Sequence, residues 1–237
     1  MLVKTKAIVI STLKFQEKSL IVKCFTQSHG LKSYFVRNAF SGKKNNQKIA
    51  YFQPLSILEI EAVHKNKGTL EHFKEIKTAI PFQTIHLDIV KSTMVLFLSE
   101  ILHHAIHEEE QNEDLFKYLE TALQWLDTHN ETSNFHLILM LEITKFLGFY
   151  PDTSDQDFPF FEMNEGVFSL FQAISCLSEH ESFLLKKLID LRLDSDQKVF
   201  HIIERQILLK ILIDYYSFHL DGFIKPKSLE ILKEVFS

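Results

Sequence analysis

A chain of 237 residues has room for one large domain or two modest ones, and either can bury a core that folds without disulfide bonds or metal ions. Apolar residues make up 46% and charged residues 24%, which is the composition of a folded protein and not of a disordered one. The net charge is −5, no run of about eighteen apolar residues occurs, and the N-terminus has no apolar signal region. These features favour a cytoplasmic protein over a secreted or membrane-spanning one.

The charge is distributed unevenly along the chain. Residues 1–80 contain 14 basic and 5 acidic residues, a net charge of +9, whereas residues 81–237 contain 12 basic and 26 acidic residues, a net charge of −14. Such asymmetry is typical of proteins that contact a nucleic acid or an anionic membrane through the basic part. We therefore predict two domains, residues 1–80 and residues 81–237.

The basic segment has the pattern of a small β-barrel. Short β-branched and aromatic runs recur about every ten residues between turn residues. Leu58, Ile60 and Ala62 alternate with Glu residues, as in a strand with one buried face. Five strands are predicted, at Lys6–Thr12, Leu20–Thr26, Leu31–Arg37, Leu55–Val63 and Thr69–Ile76. A five-stranded barrel of about eighty residues suggests an OB fold.

Beyond Pro81 the apolar period changes from about 2 to about 3.6, which predicts an all-α domain and, for the whole chain, an α+β multidomain protein. Apolar stripes mark one helix through Val90–Ala105 and a second through Leu115–Leu126, and a third, Phe135–Leu147, ends at Gly148. A cysteine-free loop region is expected at about residues 150–168. Further helices are predicted at Ser169–Leu177, Ser182–Leu191 and Gln197–Leu220, with a last one capped by Ser228.

No motif in the sequence points to an enzyme. Glycine-rich phosphate loops and the serine nucleophile motif are absent. Cys24 and Cys176 lie in apolar runs, as small buried side chains do, and neither belongs to a CxxC pair that could bind zinc. His103 and His107 have i, i+4 spacing, but no HExxH motif surrounds them, so we interpret them as surface histidines. We expect no catalytic residue, no cofactor and no metal.

Cations stand beside aromatic residues in and after the third predicted strand. Proteins that bind single strands combine a basic groove for phosphates with aromatic rings on which bases stack. A basic loop adds sequence-independent, salt-sensitive contacts. The candidate nucleic-acid-binding residues are Lys6, Lys14, Lys32, Tyr34, Arg37, Lys43, Lys44 and Lys48. The alternative is a solvated loop beside a barrel core, with Phe35 and Phe52 pointing inward.

Segments along almost the whole chain resemble the RecO family of recombination mediators. The matching segments are Thr5–Ile10, Glu17–Val22, Phe25–Thr26, His29–Leu31, Gln53–Leu55, Phe146–Pro151, Tyr215–Leu220 and Lys227–Leu229, in the family's order. The resemblance implies an N-terminal OB barrel, a helical C-terminal domain and a bacterial cytoplasmic protein that is associated with the nucleoid during repair.

The resemblance also implies a function in DNA repair and recombination. Family members bind single- and double-stranded DNA, anneal complementary strands, and work with RecR and single-strand-binding protein to load RecA, without catalytic residues. By charge alone, the candidate anchors for the acidic tail of single-strand-binding protein are Lys186, Lys187, Arg205 and Lys210. A different hypothesis is a protein-interaction adaptor, in which the positive barrel face meets an acidic protein.

The sequence departs from the family in two places. Many members have a four-cysteine zinc module after the segment that corresponds to Phe146–Pro151, but residues 152–168 contain no cysteine here. Any small lobe in this region must be held by its phenylalanines. Where the family often has Lys-Gly after the third strand, this chain has Arg37-Asn38, and the turn must use the tolerance of Asn for the left-handed region.

Overall fold

The structure, a computed structural model, describes residues 1–40, 49–65, 70–106, 111–195 and 199–236. The strands are β1 (Leu2–Phe15), β2 (Ser19–Thr26), β3 (Gly30–Val36), β4 (Ile57–Val63), β5 (His72–Ile80), β6 (Phe160–Glu162) and β7 (Val167–Ser169). The helices are α1 (Ile89–Ala105), α2 (Glu113–Thr128), α3 (Phe135–Leu147), α4 (Glu179–Asp190), α5 (Ile202–His219) and α6 (Leu229–Val235). A five-stranded β region followed by a helical region confirms the predicted fold class.

The first five strands form an antiparallel sheet in the order β3-β2-β1-β4-β5. Its two edge strands meet where Glu71, the residue just before β5, forms a parallel bridge with Tyr34 of β3. The N–H of Phe35 donates to the carbonyl of Glu71 at 2.8 Å, and the N–H of Glu71 donates to the carbonyl of Ser33 at 2.8 Å. These hydrogen bonds close the sheet into a barrel, as an OB fold requires.

Alternating side chains of the strands fill the barrel. Its buried core includes Ala7, Val9, Val22, Tyr34, Leu58 and Ile60. β1 is longer at both ends than the predicted Lys6–Thr12, because two partners hold it. Its beginning pairs with β4, from Leu2 opposite Val63, and its end pairs with β2, to Phe15 opposite Ser19. A β-bulge between Val9 and Ser11 changes the register between these two parts.

The chain divides into two compact units, residues 1–128 and residues 129–237. The first unit contains α1 and α2 in addition to the barrel. The ring of Phe116 on α2 lies 5.9 Å from that of Phe25 on β2, and the Nζ of Lys6 lies 2.6 Å from Glu120. Compact packing therefore extends well past Pro81, where the secondary structure changes from β to α.

A carboxylate fixes the segment that connects the barrel to α1. Asp127, near the end of α2, accepts hydrogen bonds from the N–H groups of Gln83 (2.9 Å), Thr84 (2.8 Å) and Ile85 (3.0 Å). The hydroxyl of Thr84 donates to the Asp127 carbonyl at 2.6 Å, and the ammonium of Lys91 donates to the Thr84 hydroxyl at 2.8 Å. The cluster thereby ties the connection to the end of α2.

In the second unit, α3 has the predicted bounds and ends at Gly148, whose φ of 84° lies in the left-handed region. The predicted helix Ser169–Leu177 is wrong, because this segment continues a β-hairpin formed by β6 and β7. The N–H of Leu177 donates to the carbonyl of Phe161 at 2.8 Å, and the rings of Phe161 and Phe168 pack edge-on at 4.9 Å. Aromatic packing thus holds a small β lobe here. Within the described ranges, no helix has the length and apolar character needed to span a membrane.

Candidate nucleic-acid interface

A groove of about 330 Å³ opens at the barrel end where β3 finishes and β5 begins. It is lined by Phe35, Val36, Arg37, Tyr51, His72, Phe73, Lys74, Glu75 and Ile76. The parallel bridge at Glu71 brings the two strands side by side, and the short 3-10 helix Ala50–Phe52 adds the ring of Tyr51. Local strand pairing thus gathers aromatic and basic side chains that are far apart in the sequence.

The aromatic rings of the groove are arranged around Phe35. This side chain points away from the barrel core, and its ring meets that of Phe15 edge-on at 6.0 Å and that of His72 at 6.2 Å. Behind it, Phe73 stacks on the buried Tyr34 at 4.2 Å. The half-buried faces of Phe35 and Tyr51 are therefore held in place while remaining accessible to a ligand.

Two of the predicted cations, Lys14 and Arg37, lie at this end of the barrel. Arg37 is exposed and lines the groove, and Asn38 after it has a φ of 55°, as predicted for this turn. Lys14 lies in the neighbouring row of the sheet, because it pairs with Leu20, which pairs with Val36, the residue before Arg37. The Lys14 ammonium lies 5.5 Å from the centre of the Phe40 ring.

The structure corrects the expectation for Tyr34. Its side chain is fully buried, and its hydroxyl lies 2.9 Å from Nε2 of His64. Burial raises the pKa of the Tyr34 hydroxyl, and burial together with the charge of His29 lowers the pKa of His64. Tyr34 is a core residue and offers no face to a base; its neighbour Phe35 offers one instead.

Lys6 and Lys32 lie away from the groove. Lys6 is eight residues before Lys14 on β1, about 26 Å for an extended strand, and is ion-paired with Glu120. Lys32 pairs with Cys24 at the opposite end of β3, near His64. The predicted basic loop residues lie outside the described residues: Lys43, Lys44 and Lys48.

A surface of the barrel formed by β1, β4 and β5 is charge-compensated, and it reaches the groove at Lys74 and Glu75. Lys4 and Lys74 both contact the carboxylate of Glu61, and the hydrogen bond from Lys74, with the attraction of both cations, lowers the pKa of that carboxyl. Lys77 pairs with Glu75 at 2.9 Å. Among the described residues, Lys14 and Arg37 form no ion pair with a carboxylate. Two cations without a carboxylate partner therefore lie at the groove end.

The sequence analysis missed several groove residues. His72, Phe73 and Lys74 were not singled out, because the exposed and half-buried residues of β5 do not alternate regularly and gave no signal. Of the two histidines with metal-ligand spacing, His103 has its Nδ1 3.2 Å from the hydroxyl of Ser11, and His107 lies outside the described residues. No group of three metal-ligating side chains occurs among the residues that are described.

In the second unit the predicted partner anchors are spread over α4 and α5. Three of them donate to backbone carbonyls of their own unit: Lys186 to Phe158, Lys187 to Val199 and Arg205 to Phe200. Lys186 and Lys187 also lie over the rings of Phe168 and Phe200. Lys210 is exposed on α5. Of the four side chains, Lys210 has the greatest access to solvent.

Comparisons with known proteins agree with this architecture. Residues 1–82 match the family model "Recombination protein O N terminal", and residues 86–230 match "Recombination protein O C terminal". The DNA repair protein RecO of Flavobacterium johnsoniae is 75% identical over 237 residues, and that of Flavobacterium psychrophilum is 72% identical over 238. The protein of the same name from Christiangramia forsetii is 41% identical, and in all three comparisons both chains are covered completely. The chain therefore belongs to the RecO family of DNA repair proteins.

Proposed function

We propose that this chain is a recombination mediator that binds single- and double-stranded DNA and anneals complementary strands. The observation that supports the proposal is the groove at the barrel end, where Phe35, Tyr51 and Arg37 line one surface. Its lining suits a strand whose phosphates meet cations while its bases meet rings.

Electrostatic attraction supplies most of the affinity in this proposal. Arg37 and Lys14 contact phosphates and release condensed counterions, and the basic loop with Lys43, Lys44 and Lys48 adds further contacts. Such contacts are independent of base sequence. Ring stacking on Phe35 adds about 1–3 kcal/mol per base.

Annealing follows from the same contacts. Two complementary strands repel each other through their phosphates, and the bound cations reduce this repulsion when the strands meet. Base pairing then selects the correct partner. The protein forms and breaks no covalent bond, so the proposed mechanism involves no catalytic residue and no nucleotide hydrolysis.

An annealing assay tests this function. Complementary oligonucleotides are mixed without ATP or divalent metal, and the protein is expected to accelerate duplex formation, with a binding constant that falls as a power of the salt concentration. Salt-independent binding, or no binding at about 50 mM salt, contradicts the proposal. In the adaptor hypothesis the basic surface meets an acidic protein instead; a variant with Glu at Lys43, Lys44 and Lys48 would then bind oligonucleotides as the wild type does.

We also propose that the helical unit receives the acidic tail of single-strand-binding protein, that RecR is a further partner, and that RecA is loaded indirectly on the delivered strand. The support is chemical: Lys187 lies over Phe200, beside the exposed ring of Phe183, so a cation and apolar surface are adjacent. A tail that is both acidic and apolar needs this combination.

Replacing Lys187 and Lys210 together by Gln is expected to weaken binding of such a tail peptide about tenfold, because two charge contacts are removed. Isothermal titration with the full-length protein measures the change. The control replaces Lys225 and Lys233 by Gln, because these lysines already pair with Asp214 and Glu230. Equal affinities in all three proteins would exclude Lys187 and Lys210 as anchors.

A further inference from the structure

The hairpin between β1 and β2 has apolar side chains exposed at its tip. Leu13 is 63% exposed and Phe15 is 40% exposed, although both belong to a strand. Pairing continues to the end of the hairpin, with Phe15 opposite Ser19, and the turn is completed by Gln16, which has a φ of 53°. The tip is therefore a paired, defined element that presents hydrophobic groups to solvent.

These side chains continue the aromatic surface of the groove. Leu13 lies opposite Ile21, which lies opposite Phe35, so the three side chains form one row across the sheet. Phe15 extends the row through its edge-on contact with Phe35, and His72 closes it on β5. Scattered exposed apolar residues are ordinary, but a continuous row that begins at a hairpin tip is typical of a binding surface.

The charges around the tip indicate the kind of ligand. Lys14 alternates with Leu13 and Phe15 and so points to the other side of the hairpin, and the turn contains one acidic residue, Glu17, and one basic residue, Lys18. Among the described residues neither lysine forms an ion pair with a carboxylate, and Arg37 lies at the same barrel end. The three cations Lys14, Lys18 and Arg37 outnumber the one carboxylate, Glu17, at this end of the barrel. An apolar row in a net positive surrounding suits a polyanion that has flat apolar groups, which is a nucleic-acid strand.

We infer that the hairpin tip is a base-unstacking wedge for single-stranded DNA. Leu13 and Phe15 lie against the faces of neighbouring bases and separate them, as apolar wedges do between base steps, while Lys14 and Lys18 hold the adjoining phosphates. In a duplex the base faces are covered by their neighbours, so the wedge engages only unpaired strands. This inference rests on the proposed function and assigns it a strand preference.

A fluorescent base analogue tests the wedge. A single-stranded oligonucleotide that contains 2-aminopurine brightens when its bases unstack, and wild-type protein is expected to produce this rise. The double variant Leu13→Ser/Phe15→Ser is expected to lose the rise and to bind single strands about tenfold more weakly, with duplex affinity and the salt dependence unchanged. Leu13→Ser alone, which removes only an exposed side chain, is expected to reduce the rise without affecting folding.

The matched control is Leu2→Ser, because Leu2 is 52% exposed at the other end of the same strand. This variant is expected to behave as the wild type. If wild-type protein binds the strand but the variants at Leu13 and Phe15 keep the fluorescence rise and the preference for single strands, the wedge is overturned while the proposed function stands. If the wild type binds no oligonucleotide, both are overturned.

Discussion

Replacing Lys14 and Arg37 together by Glu is expected to weaken binding of single-stranded DNA at least about 25-fold at about 0.1 M salt. Each lost phosphate contact lowers the slope of log affinity against log salt by about 0.7 for a single strand, so the double variant should lose about 1.4 from the slope. Fluorescence anisotropy over a salt series measures both quantities. The annealing rate should fall in parallel, because it depends on the same cations.

An equal change of charge on the compensated surface provides the control. Lys4 and Lys77 are 76% and 65% exposed and belong to the same unit, but each lies beside a glutamate. Reversing both to Glu alters the net charge by the same amount as the groove variant. If this control weakens binding as much, affinity depends on overall charge and the groove is not the binding site.

Replacing Asp127 by Asn is expected to lower the free energy of unfolding of the first unit by about 3 kcal/mol. The Asp127 carboxylate is mostly buried and accepts hydrogen bonds from Gln83, Thr84 and Ile85. Hydrogen bonds to a charged group contribute about 1.5–3 kcal/mol each, and the amide of Asn keeps only part of this set. Urea unfolding of the full chain, followed by a probe of the first unit, measures the loss.

The effect of this substitution should depend on pH in a defined direction. Burial opposes ionisation of Asp127, but the N–H donors of residues 83–85 outweigh it and lower the pKa of the carboxyl. A lowered pKa in the folded state means that the stabilisation is complete above the unfolded value of about 3.9 and is lost as the pH falls through the folded value. The difference in the free energy of unfolding between wild type and Asp127→Asn should therefore shrink in acid.

The exposed Asp114, in the first turn of the same helix, provides the control for this prediction. Asp114→Asn should change the unfolding free energy by no more than about 0.5 kcal/mol, as surface substitutions usually do. If Asp127→Asn lowers the free energy of unfolding by an equally small amount, or by an amount that grows in acid, the role given to the Asp127 carboxylate is contradicted.

Much of the fold could be predicted because the spacing of apolar residues changes at Pro81 from the period of a strand, about 2, to that of a helix, about 3.6. The barrel core follows from alternation, as at Leu58, Ile60 and Ala62, which are all buried. The helix Phe135–Leu147 was predicted with its observed bounds because a glycine ends it. The β-hairpin at residues 160–169 was missed, because its strands have three residues each and too few side chains to show a period.

The site was harder to predict, because sequence does not reveal which face of a strand points inward. Tyr34 and Phe35 are neighbours, so one must face the core and the other the solvent, and a shift of one residue in register exchanges them. The β-bulge after Val9 adds to this uncertainty. Long-range pairs are equally hidden, since Lys6 meets Glu120, which is 114 residues away along the chain.

The paired lysines and glutamates of β1, β4 and β5 have a consequence for how the barrel would approach DNA in the proposed function. Glu61 and Glu75 offset most of the charge of Lys4, Lys74 and Lys77, whereas Lys14 and Arg37 have no carboxylate partner among the described residues. The positive charge of the barrel is therefore unevenly distributed, which gives it an electric dipole. In the field of a polyanion a dipole rotates before contact, which raises the rate of productive encounters. DNA would then arrive in one orientation, at the groove first.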